Sequence, residues 1–239
     1  LTREQGKDAS SSQNTNGIFI SNTNTDSVIS VRRCNIIGGS ATSSAYYSYG
    51  IHISTSNVLL FNNIVTTSSN ISGVHSYGFF IENNSIARIY NNTISFKTVA
   101  SGSYWIGIRC NASQIEITNN IVDIPNLAPS YGIYFTNPIT LINLNNNNTY
   151  RHRQGEDNSW VLYYNSTYYT WTDYTANDSN LDIDPYFTGT EPDTYQLSES
   201  STSKDAGQNL YSQGITVDIA GNPRPETGSW SIGAYQYQE

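Results

Sequence analysis

Apolar residues in the first two-thirds of this chain fall in short runs that recur at a nearly fixed interval. Each unit opens on a glycine followed by alternating apolar residues: Gly17-Ile18-Phe19-Ile20, Gly50-Ile51-His52-Ile53, Gly78-Phe79-Phe80-Ile81, Gly107-Ile108-Arg109-Cys110 and Gly132-Ile133-Tyr134-Phe135. Seven to eleven positions after the glycine comes a second run: Val28 to Val31, Val58 to Leu60, Ile86 to Ile89, Ile115 to Ile117, Ile139 to Leu141. The unit then closes on asparagine and restarts with isoleucine, as in Cys34-Asn35-Ile36, Asn62-Asn63-Ile64, Asn91-Asn92-Thr93-Ile94 and Asn119-Asn120-Ile121. Counted on Asn35, Asn63, Asn92 and Asn120, the interval is 28, 29 and 28 residues, and a blurred fifth copy lies at Asn145 to Asn148. The runs are too short for helices and rich in Ile, Val, Phe and Tyr, which predicts strands.

Two or three short strands per repeat, separated by Asn, Ser, Thr and Gly, describe one coil of a parallel β-helix. Successive coils lie about 4.8 Å apart, so equivalent residues stack in columns. Asparagine suits a corner of such a coil, because it tolerates the left-handed backbone region and its amide can bond to the amide of the next coil. Leucine-rich repeats and propeller blades need other periods, and an antiparallel sandwich needs hairpin turns that this chain lacks. The sequence therefore predicts an all-β fold, a right-handed parallel β-helix of about five or more coils. Residues 1–16 are read as a polar N-terminal segment, 17–148 as coils, and 149–239 as an irregular aromatic-rich C-terminal cap.

The Gly-Ile-x-Ile, Ile/Val and Asn-Asn-x-Ile pattern over residues 17–148 resembles the right-handed parallel β-helix repeat proteins of the pectate-lyase-like superfamily. Beyond Tyr150 a second likeness begins. Asp184-Pro185-Tyr186-Phe187, Tyr195-Gln196-Leu197, Asp205-Ala206-Gly207, Asp218-Ile219-Ala220-Gly221-Asn222-Pro223-Arg224 and Ile232-Gly233-Ala234-Tyr235 resemble, in order, the terminal module of secreted bacterial β-helix repeat proteins. One departure is visible, since Ser201 to Lys204 stands where that module usually carries Ser-Pro-Ala-Ile. The module is expected to cover the open backbone edge of the last coil.

The fold hosts lyases, hydrolases, epimerases and adhesins, so function must be argued from residues. Asn24-Thr25-Asp26 matches the first signature of polygalacturonases, but the Asp-Asp, Gly-His-Gly and Arg-x-Lys those enzymes also need are absent. Asp182 and Asp184 would share one face of a strand, yet they sit in an Asp-Pro junction where a turn is the expected role. His52 and His75 have no Ser, Cys or carboxylate partner at a recognisable offset. No calcium loop is present, so neither metal nor cofactor is expected. Cys110 takes the interior position of Ile20, Ile53 and Ile81, while Cys34 lies three coils away; about 14 Å of stacking exceeds disulfide reach. Two free, largely buried thiols are expected.

One outward column carries a functional expectation. With Ile18 and Ile20 and their equivalents inward, Phe19, His52, Phe80, Arg109 and Tyr134 face out, forming a stripe suited to sugar rings or to a neighbouring protein. Tyr49, Tyr77 and Tyr131 precede the glycines, at a corner where their direction is open. Net charge of −8 with 11 basic residues argues against nucleic acid or anionic membrane as partner. No apolar run is long enough for a membrane span. Seven Asn-x-Ser/Thr sequons match what 29 asparagines and 56 serines plus threonines yield by chance, so they are no evidence for glycosylation. The absence of methionine and the start at Leu1 suggest a mature product or an excised piece. The reading as a whole is a secreted, extracellular or cell-surface protein, non-catalytic and structural or adhesive, engaging glycan or like subunits. The alternative is a polysaccharide lyase, hydrolase or epimerase.

Overall fold

The computed structural model describes residues 14–21, 26–38, 47–68, 74–97, 104–111, 114–124, 130–136, 140–151, 160–164, 167–169, 179–188 and 195–238. The first turn consists of β1 (Thr15–Ser21), β2 (Val28–Arg32) and β3 (Asn35–Ile37). The next comprises β4 (Tyr47–Ser54), β5 (Asn57–Phe61) and β6 (Ile64–Thr67), followed by β7 (His75–Glu82), β8 (Ile86–Tyr90) and β9 (Thr93–Phe96). Then come β10 (Trp105–Asn111), β11 (Gln114–Thr118) and β12 (Ile121–Ile124), and β13 (Ser130–Phe135), β14 (Thr140–Asn145) and β15 (Asn148–Arg151). Each turn adds one strand to each of three parallel sheets. The chain is thus a parallel β-solenoid.

The expected five or more coils are corrected to about three complete ones. Three turns, β4–β6, β7–β9 and β10–β12, enclose the fully buried core. In the first described turn Ile18, Ile20, Ile29, Val31 and Cys34 are only partly buried, since among the described residues it has a neighbouring turn on one side. At the other end the stacking runs past residue 148. Strand β16 (Trp160–Tyr164) pairs in parallel with β13 and antiparallel with β17 (Thr167–Tyr169), and Leu181 bridges in parallel to Asn148.

Interior columns follow the alternation predicted. Ile51, Phe79, Ile108 and Ile133 form one column of sheet one, and Ile53, Ile81, Cys110 and Phe135 the next. Val65, Ile94 and Val122 of sheet three face the glycines of sheet one. A Cβ on Gly78 would lie 2.3 Å from Ile94 Cγ2 and 2.5 Å from the Gly107 carbonyl, so that column has room only for hydrogen. Cys34 and Cys110 are both free thiols; Cys110 is buried, whereas Cys34, on the end turn, is only half buried and not largely buried as expected.

The asparagine step resolves into two adjacent residues with different tasks. The first adopts a left-handed backbone: Asn62, Asn91, Asn119 and Asn146 have φ of 52°, 51°, 60° and 53°, and Arg33 and Ser179 take the same place at the two ends. The second forms the buried ladder. Asn92 Oδ1 accepts from the Asn63 backbone N–H and from Asn63 Nδ2, each at 3.0 Å. Asn92 Nδ2 in turn donates to Asn120 Oδ1 at 3.0 Å and to the Leu60 carbonyl at 2.9 Å. The pattern continues through Asn120, Asn147 and Asn180. Asn35 is not a rung, which corrects the expected ladder of Asn35, Asn63, Asn92 and Asn120. Cys34 N–H bonds to Asn63 Oδ1 at 3.1 Å, and Asn35 pairs in register with Ile64, one position further on. Among the described residues no earlier turn donates to a side-chain acceptor at this position, so cysteine suffices there.

The C-terminal segment also differs from expectation. Of its described residues, Trp160–Tyr164 and Leu181 pair with the last turn, whereas residues 195–238 lie along the side of the stack at the corner between sheets two and three. The left-handed asparagines are its rail: Asn62, Asn119 and Asn146 Nδ2 donate to the carbonyls of Val217, Gln208 and Ala206 at 2.6, 2.7 and 2.8 Å. Asn91 Nδ2 reaches the Ser231 carbonyl at 3.2 Å. Buried Arg224 donates to Asn62 Oδ1 at 3.0 Å and to the Gly233 carbonyl at 2.9 Å, with Trp230 stacked on its guanidinium. Burial pushes Arg224 down to about 9, which leaves it charged at neutral pH. Asp218, fully buried, accepts from the backbone N–H groups of Gly221 and Asn222, both at 2.8 Å. Leu210, Ile215 and Trp230 pack on Phe61 and Tyr90 of sheet two, and Leu197 and Ile232 on Ile121 of sheet three. Ser201 caps a 3-10 turn over Thr202–Asp205.

Replacing Asn92 with leucine leaves several buried donors and acceptors unpaired, at about 1–3 kcal/mol each. The expected cost is about 3 kcal/mol or more, a melting midpoint lower by roughly 6–12 °C. Cys34→Asn extends the ladder by one rung and is expected to stabilise by about 1 kcal/mol. Calorimetric melting of both variants checks the pair; an unchanged midpoint for Asn92→Leu would remove the ladder's assigned role.

Candidate functional site

Sheet one has an outer face that the contacts of residues 195–238, all on sheets two and three, leave uncovered among the described residues. Its centre is the column read from the sequence, now in register: Phe19 pairs with His52, His52 with Phe80, Phe80 with Arg109 and Arg109 with Tyr134. Ring centroids of Phe19 and His52 lie 4.8 Å apart, and those of His52 and Phe80 5.0 Å. The Arg109 guanidinium stands 5.1 Å from the Phe80 ring, 5.5 Å from Tyr77 and 5.9 Å from Tyr134. All five residues named from the sequence thus form one continuous strip.

The tyrosines before the glycines belong to the same face. Gly50 and Ile51 both turn inward, so Tyr49 emerges beside His52, with ring centroids 4.8 Å apart. Tyr49 and Tyr77 stack at 5.2 Å, and Tyr131 meets Tyr134 at 5.1 Å. A third column, Tyr47, His75 and Tyr104, extends the face: Tyr47 stacks on His75 at 5.5 Å, and Tyr104 meets His75 at 4.6 Å. Phe19, Tyr47 and Tyr104 are exposed, at 56, 38 and 40 %. The remaining rings are partly or wholly buried against one another, so the face is a firm slab with three rings standing free.

His52 has a partner that the sequence reading missed. Its Nε2 lies 2.9 Å from Glu82 Oε1. Glu82 is two residues past Phe80 on the next strand, a diagonal neighbour that has no sequence motif. His75 Nδ1 accepts from the Tyr104 backbone N–H at 3.3 Å, so the neutral ring carries its proton on Nε2. Burial, and then the Arg109 charge, lower the His75 pKa from its ordinary value. Burial raises Tyr77, with Arg109 opposing, and raises Tyr49 beyond any physiological range, so both hydroxyls stay neutral donors.

Other candidates divide differently. Asn24 and Thr25 of the Asn24-Thr25-Asp26 triplet lie outside the described residues. Asp184 Oδ1 accepts from the Tyr186 backbone N–H at 2.8 Å, a turn, as its Asp-Pro context suggests. A recess of about 230 Å³ among Gln196, Leu197, Asn222 and Tyr235 to Gln238 holds no carboxylate, histidine or cysteine. Among the described residues no three His, Cys, Asp or Glu are grouped to hold a metal ion. Sequons at Asn91 and Asn147 are fully buried in the corner, while Asn83 is exposed. Comparison with protein-family models, with curated proteins and with solved structures finds no match.

A histidine held below its ordinary pKa binds its proton less readily folded than unfolded. On acidification below about pH 6.5 the unfolded chain gains protons first, so stability falls until the folded ring also titrates. His75 is therefore expected to titrate below 6.5 by NMR, and His75→Gln to reduce the acid-side loss of stability. A His75 midpoint at or above 6.5 contradicts the burial and charge arrangement described.

Proposed function

We propose that this chain is a non-catalytic surface protein of the cell exterior, structural or adhesive, whose sheet-one face engages saccharide. The observation that carries the reading is the in-register strip of Phe19, His52, Phe80, Arg109 and Tyr134, flanked by exposed Tyr47 and Tyr104. Rings fixed side by side offer apolar faces to the C–H faces of sugars, while tyrosine hydroxyls, His52 and Arg109 supply polar contacts. An exposed aromatic patch on a rigid sheet marks an interaction site and is not a feature of ordinary surface.

Export is supported by composition, with Asn, Ser, Thr and Tyr abundant and only 11 basic residues. A place among the pectate-lyase-like β-helix proteins, with the terminal module of their secreted bacterial members, is the finer part of this proposal. It draws support from Asp218, Gly221, Arg224 and Gly233, motif residues that each have a packing task in the clasp. A second reading, an enzyme acting on extracellular glycans, has one observation in its favour: the His52–Glu82 pair lies within the aromatic face.

The intact chain is tested against a panel of neutral and acidic polysaccharides by affinity gel electrophoresis, with parallel assays for reducing ends and unsaturated sugars. The expected result is retardation without product, weakened about threefold to tenfold by Phe19→Ala or Tyr104→Ala. Reproducible turnover transfers the face to the enzyme reading. Retardation by nothing in the panel leaves like subunits as partner, and a strictly monomeric particle in light scattering at high concentration removes that version as well.

A further inference from the structure

The face contains a cation that no carboxylate among the described residues neutralises. Among the described residues, the one pair within salt-bridge distance is His52 with Glu82, so the carboxylate nearest the strip is already engaged and none pairs with Arg109. Among the described residues the guanidinium makes a single hydrogen bond, from Nη1 to the Tyr77 hydroxyl at 3.1 Å. Nε is buried with no partner. Three rings, Tyr77, Phe80 and Tyr134, surround the group at 5.1 to 5.9 Å and fix its plane. Such a group is held in place, yet among the described residues Nη2 has no acceptor. Arg109 is half buried, so its charge has given up part of its water and gains from an anionic partner.

Resting on the saccharide reading of this face, we infer that Arg109 is an anion anchor and that the ligand is a sugar carrying a carboxylate or sulfate group. The acidic group meets the guanidinium, and the exposed rings of Phe19, Tyr47 and Tyr104 receive neighbouring sugar units on either side. Planar guanidinium and carboxylate match in a bidentate way, which gives orientation as well as affinity. The chain's net charge of −8 works against long-range attraction of a polyanion. Recognition is therefore a contact-range event that selects one acidic sugar unit, in contrast to a charged stripe that tracks a polymer. Arg109's field also reaches His75, whose pKa it lowers, in keeping with a positive centre on this face.

Calorimetric titration of the intact chain tests this with four probes: a uronate oligosaccharide, the same oligosaccharide methyl-esterified, a sulfated oligosaccharide and a neutral one of equal length. The uronate or the sulfated probe is expected to bind about tenfold or more tighter than the esterified and neutral ones, and which of the two binds identifies the group. Arg109→Gln is expected to bring that ratio near one while weak neutral binding persists, a result that loss of structure would not give. Arg109→Lys, which keeps the charge and loses the fork, is expected to retain part of the ratio, and serves if the glutamine variant does not fold. Equal binding of all four probes, or an unchanged ratio in both variants, overturns the anion anchor and leaves the saccharide reading standing. Binding of none overturns both.

Discussion

The corner between sheets two and three sets the geometry of the whole molecule, and it rests on two side-chain amides in sequence. A solenoid must turn its backbone sharply at the same height in every coil, and the N–H and C=O groups at the turn point along the axis into the dry interior. Unpaired, each would cost about 1–3 kcal/mol. Asparagine answers with an acceptor toward one neighbouring turn and a donor group that reaches both, as Asn92 does between Asn63 and Asn120. Leucine offers neither, and a carboxylate offers only acceptors. The residue before it supplies the left-handed turn, a conformation that asparagine adopts at little cost.

That division has a consequence on the outside of the corner. A left-handed residue directs its side chain away from the ladder, so Asn62, Asn91, Asn119 and Asn146 present a second row of amides outward. The C-terminal segment takes its hydrogen bonds from that row. Its irregular backbone could not be buried without donors spaced at the turn height. The clasp therefore depends on the same repeat that builds the core. Phe61 and Tyr90 finish the attachment as apolar contacts.

Sheet one was legible because its evidence is periodic: glycine, inward isoleucine, outward variable residue, inward isoleucine. That pattern placed Phe19, His52, Phe80, Arg109 and Tyr134 in one column. The ladder was legible as a motif but slipped by one residue in the first turn, because Asn35 matches by residue type while Cys34 matches by position. His52 with Glu82 was invisible, since a diagonal contact between strands is fixed by register and leaves no mark in spacing. The clasp was misread as an end cover. Its glycines, prolines and aromatics announce irregular structure without saying which surface receives it.

The outer face of sheet one inherits its rigidity from these arrangements. Parallel strands about 4.8 Å apart bring equivalent rings to stacking distance without any choice by the side chains themselves. Tyr49, Tyr77 and Phe80 are locked by mutual packing, and Arg109 by three rings and a hydroxyl. Ordering such side chains at the moment of binding would cost about 0.5–1.5 kcal/mol each. Here that entropy is lost when the solenoid folds, so the proposed saccharide contact meets a surface already in place. A face of weak individual contacts gains most from this arrangement, because each contact is worth about as much as the ordering it avoids. The inward glycine column matters for the same reason. Without Gly50 and Gly78 the strand could not bring two successive residues inward, and Tyr49 and Tyr77 would leave the face they now complete.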